Sequence, residues 1–87
     1  MKVLVSPYAK KQLKKLPKTI QILVAKKLRK FDKLDSFESK KLRGYDDIFR
    51  TRLGNYRIVY RKLSHSVYII LIAHRRETYV LTRRILR

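Results

Sequence analysis

The sequence predicts an α+β domain in which an N-terminal strand and a two-helix hairpin pack on a mainly antiparallel sheet ending in a three-stranded meander. Three observations carry that prediction. Apolar residues from Ala9 to Phe31 recur at helical spacing, two alternating runs flank Gly54-Asn55, and Val67 to Ala73 form an unbroken apolar run.

Residues 2 to 5, KVLV, read as a short strand. Ser6 then stands where an N-cap oxygen accepts from a free N–H of the first turn. Pro7 fits the first helical position, whose own N–H would lack a helical partner anyway. Ala9, Leu13 and Leu16 fall on one face of this helix. Pro17 ends it, because a proline drives the preceding residue out of the α region, and it can start the next helix. Over residues 18–31, Ile20, Leu23, Val24, Leu28 and Phe31 form one stripe, with Lys26, Lys27 and Lys30 mostly outside it. Residues 32–39, DKLDSFES, are polar and hold three of the six acids, so they read as the loop from helices to sheet. Gly44 marks a turn or bulge before a strand from Ile48 to Leu53, whose hairpin partner runs from Tyr56 to Leu63. A tight connection near Ser64-His65 leads to Val67–Ala73. That run lacks polar alternation and therefore belongs inside the sheet, covered on one side by the helices. The C-terminal HRRETYVLTRRILR begins polar and ends with Tyr79, Leu81, Ile85 and Leu86 among arginines. A short helix and an extended tail both fit it.

The hairpin can be taken further. Glycine and asparagine tolerate the positive φ of a two-residue loop, and a loop of that length sets the register. Leu53 faces Tyr56, Arg52 faces Arg57, Thr51 faces Ile58, Arg50 faces Val59 and Phe49 faces Tyr60. Alternation then puts Phe49, Thr51, Leu53, Tyr56, Ile58 and Tyr60 on the core face, and Arg50, Arg52, Arg57 and Arg61 around Val59 on the other. Like charges directly opposite one another destabilise a strand pair by up to about 1 kcal/mol. Arg52 against Arg57 therefore points to an anion, with a solvated basic face as the plain alternative.

Composition bounds the partner. The 87 residues make one domain, 1–87, and 45% of them are hydrophobic, enough for a single modest core. Twenty-four Lys and Arg against six acids give a formal charge of +18 and a pI near 10.8, which calls for a polyanionic partner. There is no cysteine, and His65 and His74 alone do not make a metal site, so metal and cofactor are both expected to be absent. The longest apolar stretch, VYIILIA at 67–73, falls far short of the roughly 20 residues that span a bilayer. No signal peptide precedes Lys2, and a cytoplasmic protein without membrane contact is expected.

The order strand, helix, helix, meander, together with KLRG at 41–44, RLGNYRIVY at 52–60 and HRRETY at 74–79, resembles the RelE/ParE toxin superfamily of toxin-antitoxin modules. The likeness covers almost the whole chain and implies a single RelE-like toxin domain. RelE-like members are ribosome-dependent endoribonucleases that cut messenger RNA in the A site, whereas ParE-like members inhibit DNA gyrase by binding. By this resemblance the catalytic set is Arg50, Arg52, Arg57, Arg76 (or Arg75, if the gap falls differently) and Tyr79. Lys41, Arg43 and Arg61 are candidate RNA contacts. The implied partners are a cognate antitoxin, messenger RNA and ribosomal RNA.

Metal-free RNA cleavage needs a group that activates the 2′-hydroxyl, groups that stabilise the dianionic phosphorane, and a donor for the departing 5′-oxygen. Arginine suits the second task, since its planar fork donates two hydrogen bonds to phosphate and stays charged. Tyr79 is the candidate base, or else orients the 2′-hydroxyl; packing of the C-terminal segment is its structural alternative. The RelE-like branch often carries lysines where this chain has Arg50 and Arg52, and arginine cannot serve as a base. His74 is therefore a second candidate acid or base, because histidine's ordinary pKa suits proton transfer. Three readings stand: an RNA-cleaving toxin, a ParE-like toxin that acts by binding gyrase, and a member that binds RNA without cutting it.

Overall fold

A computed structural model of the chain describes residues 2–31 and 39–86. The elements are β1 (Lys2–Val5), α1 (Pro7–Lys15), α2 (Lys18–Arg29), β2 (Ser39–Lys41), β3 (Ile48–Leu53), β4 (Tyr56–Lys62), β5 (Ser66–His74) and α3 (Thr78–Ile85). The strands form one sheet in the order β1-β5-β4-β3-β2. β1 runs parallel to β5, and every other pair is antiparallel. The α+β prediction holds, with two additions: β2 extends the meander to four strands, and the C-terminal segment is a helix. The expected loop at 32–39 lies outside the described residues except for Ser39, which opens β2.

Ser6 caps α1 as its position predicts, its hydroxyl accepting from the Ala9 N–H at 3.0 Å. The helical hairpin covers one sheet face. There Ala9, Val24 and Phe31 meet Ile58, Tyr60, Val67, Ile69 and Ile72, with Leu13, Leu16, Ile20 and Leu28 packed alongside. Phe31 sets its edge against the Tyr60 ring at 4.8 Å, a favourable aromatic geometry. Leu23 departs from the expected stripe and is 44% exposed. One residue is about 100° around a helix, so with Val24 aimed at the sheet Leu23 turns to the side.

The hairpin register is as predicted at all five pairs, from Leu53–Tyr56 to Phe49–Tyr60. Of the two loop residues Gly54 has positive φ, +60°, and Asn55 does not. That is the pattern of a type II′ turn, in which the first loop position alone needs glycine.

β5 holds a feature that its apolar sequence conceals. Val59 pairs with Leu71 but Tyr60 pairs with Ile69, so Ile70 is an extra residue at a bulge. β1 accompanies β5 only as far as Ile69, and α1 takes over there. The Ser6 hydroxyl donates to the Ile70 carbonyl at 2.8 Å, and Gln12 Oε1 accepts from the Ile72 N–H at 2.8 Å. These bonds satisfy backbone groups that would otherwise be buried without partners. Beyond the bulge the alternation is reset, so Leu71 and Ala73 join Ile48, Val59 and Leu42 on the second face. α3 lies across that face through Leu81 and Leu86, with Thr78 and Thr82 buried beneath it. No helix among the described residues is long and apolar enough to cross a membrane.

Candidate functional site

The second sheet face carries the arginines. Arg50 stands opposite Val59, Arg52 opposite Arg57, and Arg57 in turn opposite Ala73 on β5. Directly opposed residues share a face, so these side chains project together. Past the end of β5 the Arg75 N–H still donates to the Asn55 carbonyl at 2.8 Å. Two residues beyond Ala73, Arg75 therefore extends the same face.

Two contacts organise the cluster. Arg57 Nη1 donates to the carbonyls of Gly54 at 3.2 Å and Tyr56 at 3.0 Å, which folds its guanidinium back over the loop. The Arg50 guanidinium lies 5.9 Å from the centre of the Tyr79 ring, within cation–π range. α3 thus delivers a half-exposed phenol to the arginine face.

Electrostatics register the crowding. Burial lowers the pKa of Arg57, and the charges of Arg52, Arg50 and Arg75 lower it further, with Tyr79 acting in the opposite direction. Arginine starts so high that Arg57 remains a cation at neutral pH. Among the described residues no carboxylate pairs with Arg50, Arg52, Arg57 or Arg75. Arg61 is different: its Nε lies 3.1 Å from Asp47 Oδ2, close enough for attraction although not aligned as a hydrogen bond. The loop end of the sheet is therefore a cluster of cations that no carboxylate among the described residues offsets, and such a cluster attracts an anion.

Arg50, Arg52, Arg57 and Tyr79 come together, as the sequence reading expected. Of the two arginines that follow β5, Arg75 acts electrostatically on Arg57, while the Arg76 backbone N–H donates to His74 Nδ1 at 3.3 Å. His74 does not reach the cluster. It pairs with Tyr56, whose ring it meets edge-on at 5.7 Å, and so lies on the helical face. The alternative acid or base of the sequence reading therefore lies on the other face of the sheet from Arg52 and Arg57.

The candidate RNA contacts spread more widely. Lys41 pairs with Phe49 and shares the helical face, Arg43 is exposed in the turn before β3, and Arg61 sits at the far end of β4 beside Asp47. Lys40, which pairs with Arg50, was missed. No sequence signal marked residues 39–41 as a strand, so no register was available to place it.

Residues 3–79 match the family model of the ParE toxin of type II toxin-antitoxin systems, parDE. No curated protein matches the chain. Among solved structures, a double mutant of Escherichia coli RelE in the free state superposes with a TM-score of 0.77 at 26% identity, over 97% of this chain and 96% of that one. Isolated E. coli RelE gives 0.72 at 26% identity over 99% and 98%. A chain of the Methanococcus jannaschii RelB-RelE antitoxin-toxin complex gives 0.74 at 23% identity over 87% and 94%, a likeness of fold.

Proposed function

The chain belongs to the ParE toxin family of type II toxin-antitoxin systems, within the RelE/ParE toxin superfamily, and from that premise we propose that it cleaves messenger RNA in the ribosomal A site. One observation carries this reading: Arg50, Arg52, Arg57 and Arg75 converge with Tyr79, and among the described residues no carboxylate pairs with any of the four. A toxin that acts only by contact has no need of such convergence.

In the proposed reaction the 2′-hydroxyl attacks the adjacent phosphorus, forming a P–O bond while the bond to the 5′-oxygen breaks. The products are a 2′,3′-cyclic phosphate and a free 5′-hydroxyl. Charge builds on the phosphorane oxygens, and Arg52 and Arg57, held side by side across the hairpin, are the donors best placed to meet it. Arg50 binds the Tyr79 ring and phosphate together, and Arg75 closes the cluster from the turn after β5. Tyr79 orients the 2′-hydroxyl or takes its proton.

The helix surfaces carry lysines that favour docking on ribosomal RNA, with affinity that falls steeply as salt rises. Similar RelE chains at 25% and 26% identity come from complexes with antitoxins, which supports a cognate antitoxin for this chain. Such a partner, acidic or amphipathic, would cover the arginine face. This function belongs in the cytoplasm.

The family model, named for ParE, favours a second reading, inhibition of DNA gyrase by binding. Primer extension on messenger RNA in a purified translation system separates the two. Wild-type protein is expected to produce new cuts within A-site codons, and Arg57→Ala to abolish them. Growth arrest without any cut would favour gyrase, and gyrase inhibition would be assayed next.

A further inference from the structure

At the β5 edge of the sheet a cleft of about 450 Å³ opens between α1, the end of β5 and the start of α3, walled from the helical face by Tyr56, Ile72 and His74 and closed from the arginine face by Ala73 and Leu81. Its size lies within the range of small-ligand sites, roughly 300–1,000 Å³. Its walls include three rings: Tyr8 from α1, Tyr56 from β4 and His74 from β5. Tyr56 and His74 brace each other edge to face, and His74 is tied further by the Arg76 N–H on its Nδ1. Lys11 and Lys15, one turn apart on α1, border the same space. The Gln12 oxygen is already taken by the Ile72 N–H, which leaves its NH₂ group as a fixed donor, and Glu77 supplies an acceptor.

We propose that this cleft holds one nucleotide of the single-stranded RNA flanking the cleavage point, its base among Tyr8, Tyr56 and His74 and its phosphate on Lys11 and Lys15. Aromatic faces beside cations are how proteins hold single-stranded nucleic acid with little regard to sequence. Continuity with the arginine cluster supports this occupant. Tyr56 and Arg57 are neighbours on β4 that point to opposite faces, and His74, the last residue of β5, and Arg75 just after it stand in the same relation. The two sites are back to back at the loop end of the sheet, where a strand rounding Gly54-Asn55 meets both. On the RNA-cleaving reading, which this cleft presupposes, the scissile phosphate lies on one side and a flanking base on the other.

The probe is a single-stranded oligoribonucleotide of about six nucleotides with 2′-O-methyl groups, which can bind but cannot be cut. Added to the isotope-labelled full chain, it should shift the NMR signals of the Gln12 side-chain amide, the Ile72 N–H and His74, together with those of Arg52 and Arg57. Tyr8 is 38% exposed, so Tyr8→Ala should fold normally. That variant should bind the oligonucleotide about tenfold more weakly, the loss of one stacking partner. Lys15→Ala should bind more weakly at low salt and with a shallower salt dependence. Shifts confined to the arginines, with Tyr8→Ala binding as wild type, would overturn the cleft and leave the arginine reading standing. Shifts in the cleft alone would uphold the cleft and count against the arginines. A cleft that responds to an acidic amphipathic peptide and not to the oligonucleotide would also overturn the proposal, in favour of a protein partner.

Discussion

If the arginine face exists to hold an anion, it should cost the unliganded protein stability, and Arg52 is the position at which to measure that cost. Arg52 opposes Arg57 directly and is exposed, so replacing it removes a like-charge contact without opening a cavity. Opposed like charges on a strand pair cost up to about 1 kcal/mol. Solvent screens an exposed group, and about half that value is the reasonable expectation. For a domain of this size 1 kcal/mol corresponds to about 4–8 °C in Tm, so Arg52→Gln should raise Tm by about 2–4 °C. The assay is thermal unfolding at low ionic strength in a buffer free of phosphate and sulfate, with Arg52→Lys as the control that keeps the charge. The gain should shrink at 1 M salt, where the screening length falls to about 3 Å. Added inorganic phosphate should stabilise wild type more than Arg52→Gln, because binding to the folded state alone raises stability by mass action. A Tm for Arg52→Gln at or below that of Arg52→Lys would refute the reasoning.

Three further outcomes follow from particular contacts. Gly54→Ala meets no atom within 4 Å, so its cost is backbone strain alone, about 1–2 kcal/mol, whereas Asn55→Ala should change stability by less than about 0.5 kcal/mol; denaturant titration measures both. Ser6→Ala loses the α1 cap and the donor to Ile70 at the bulge, and should cost roughly 2–3 kcal/mol in the same titration. Arg75→Ala should slow RNA cleavage at least about tenfold while Arg76→Ala stays within about threefold, read as single-turnover rates on programmed ribosomes.

Much of this could be read directly from the residues, and the exceptions have physical causes. The hairpin register was readable because a two-residue turn and a period of two over-determine it, and Arg50, Arg52 and Arg57 fell into place with it. The same alternation, carried from Tyr56 across to β5, would have put His74 on the helical face, but the bulge at Ile70 hides inside an apolar run and leaves no break in pattern. β2 has three polar residues and no period, so neither it nor Lys40 beside Arg50 was visible. That Arg75 adjoins Arg57 depends on a backbone bond to Asn55 that continues the ladder past the strand, a feature of tertiary geometry. α3 was ambiguous because its helical face is made partly of threonines, Thr78 and Thr82, which are buried through bonds back to the carbonyls of His74 and Thr78.

The most direct test of the central claim is the single-turnover rate of messenger RNA cleavage on ribosomes with a defined A-site codon, compared between wild type and Arg57→Ala. Loss of one preorganised donor to a developing oxyanion costs about a hundredfold or more, so wild type should cut within the codon and Arg57→Ala at no more than about one hundredth of that rate. Equal rates would show that the arginine face is not the catalytic site, and no cutting by wild type would contradict the RNA-cleaving reading itself.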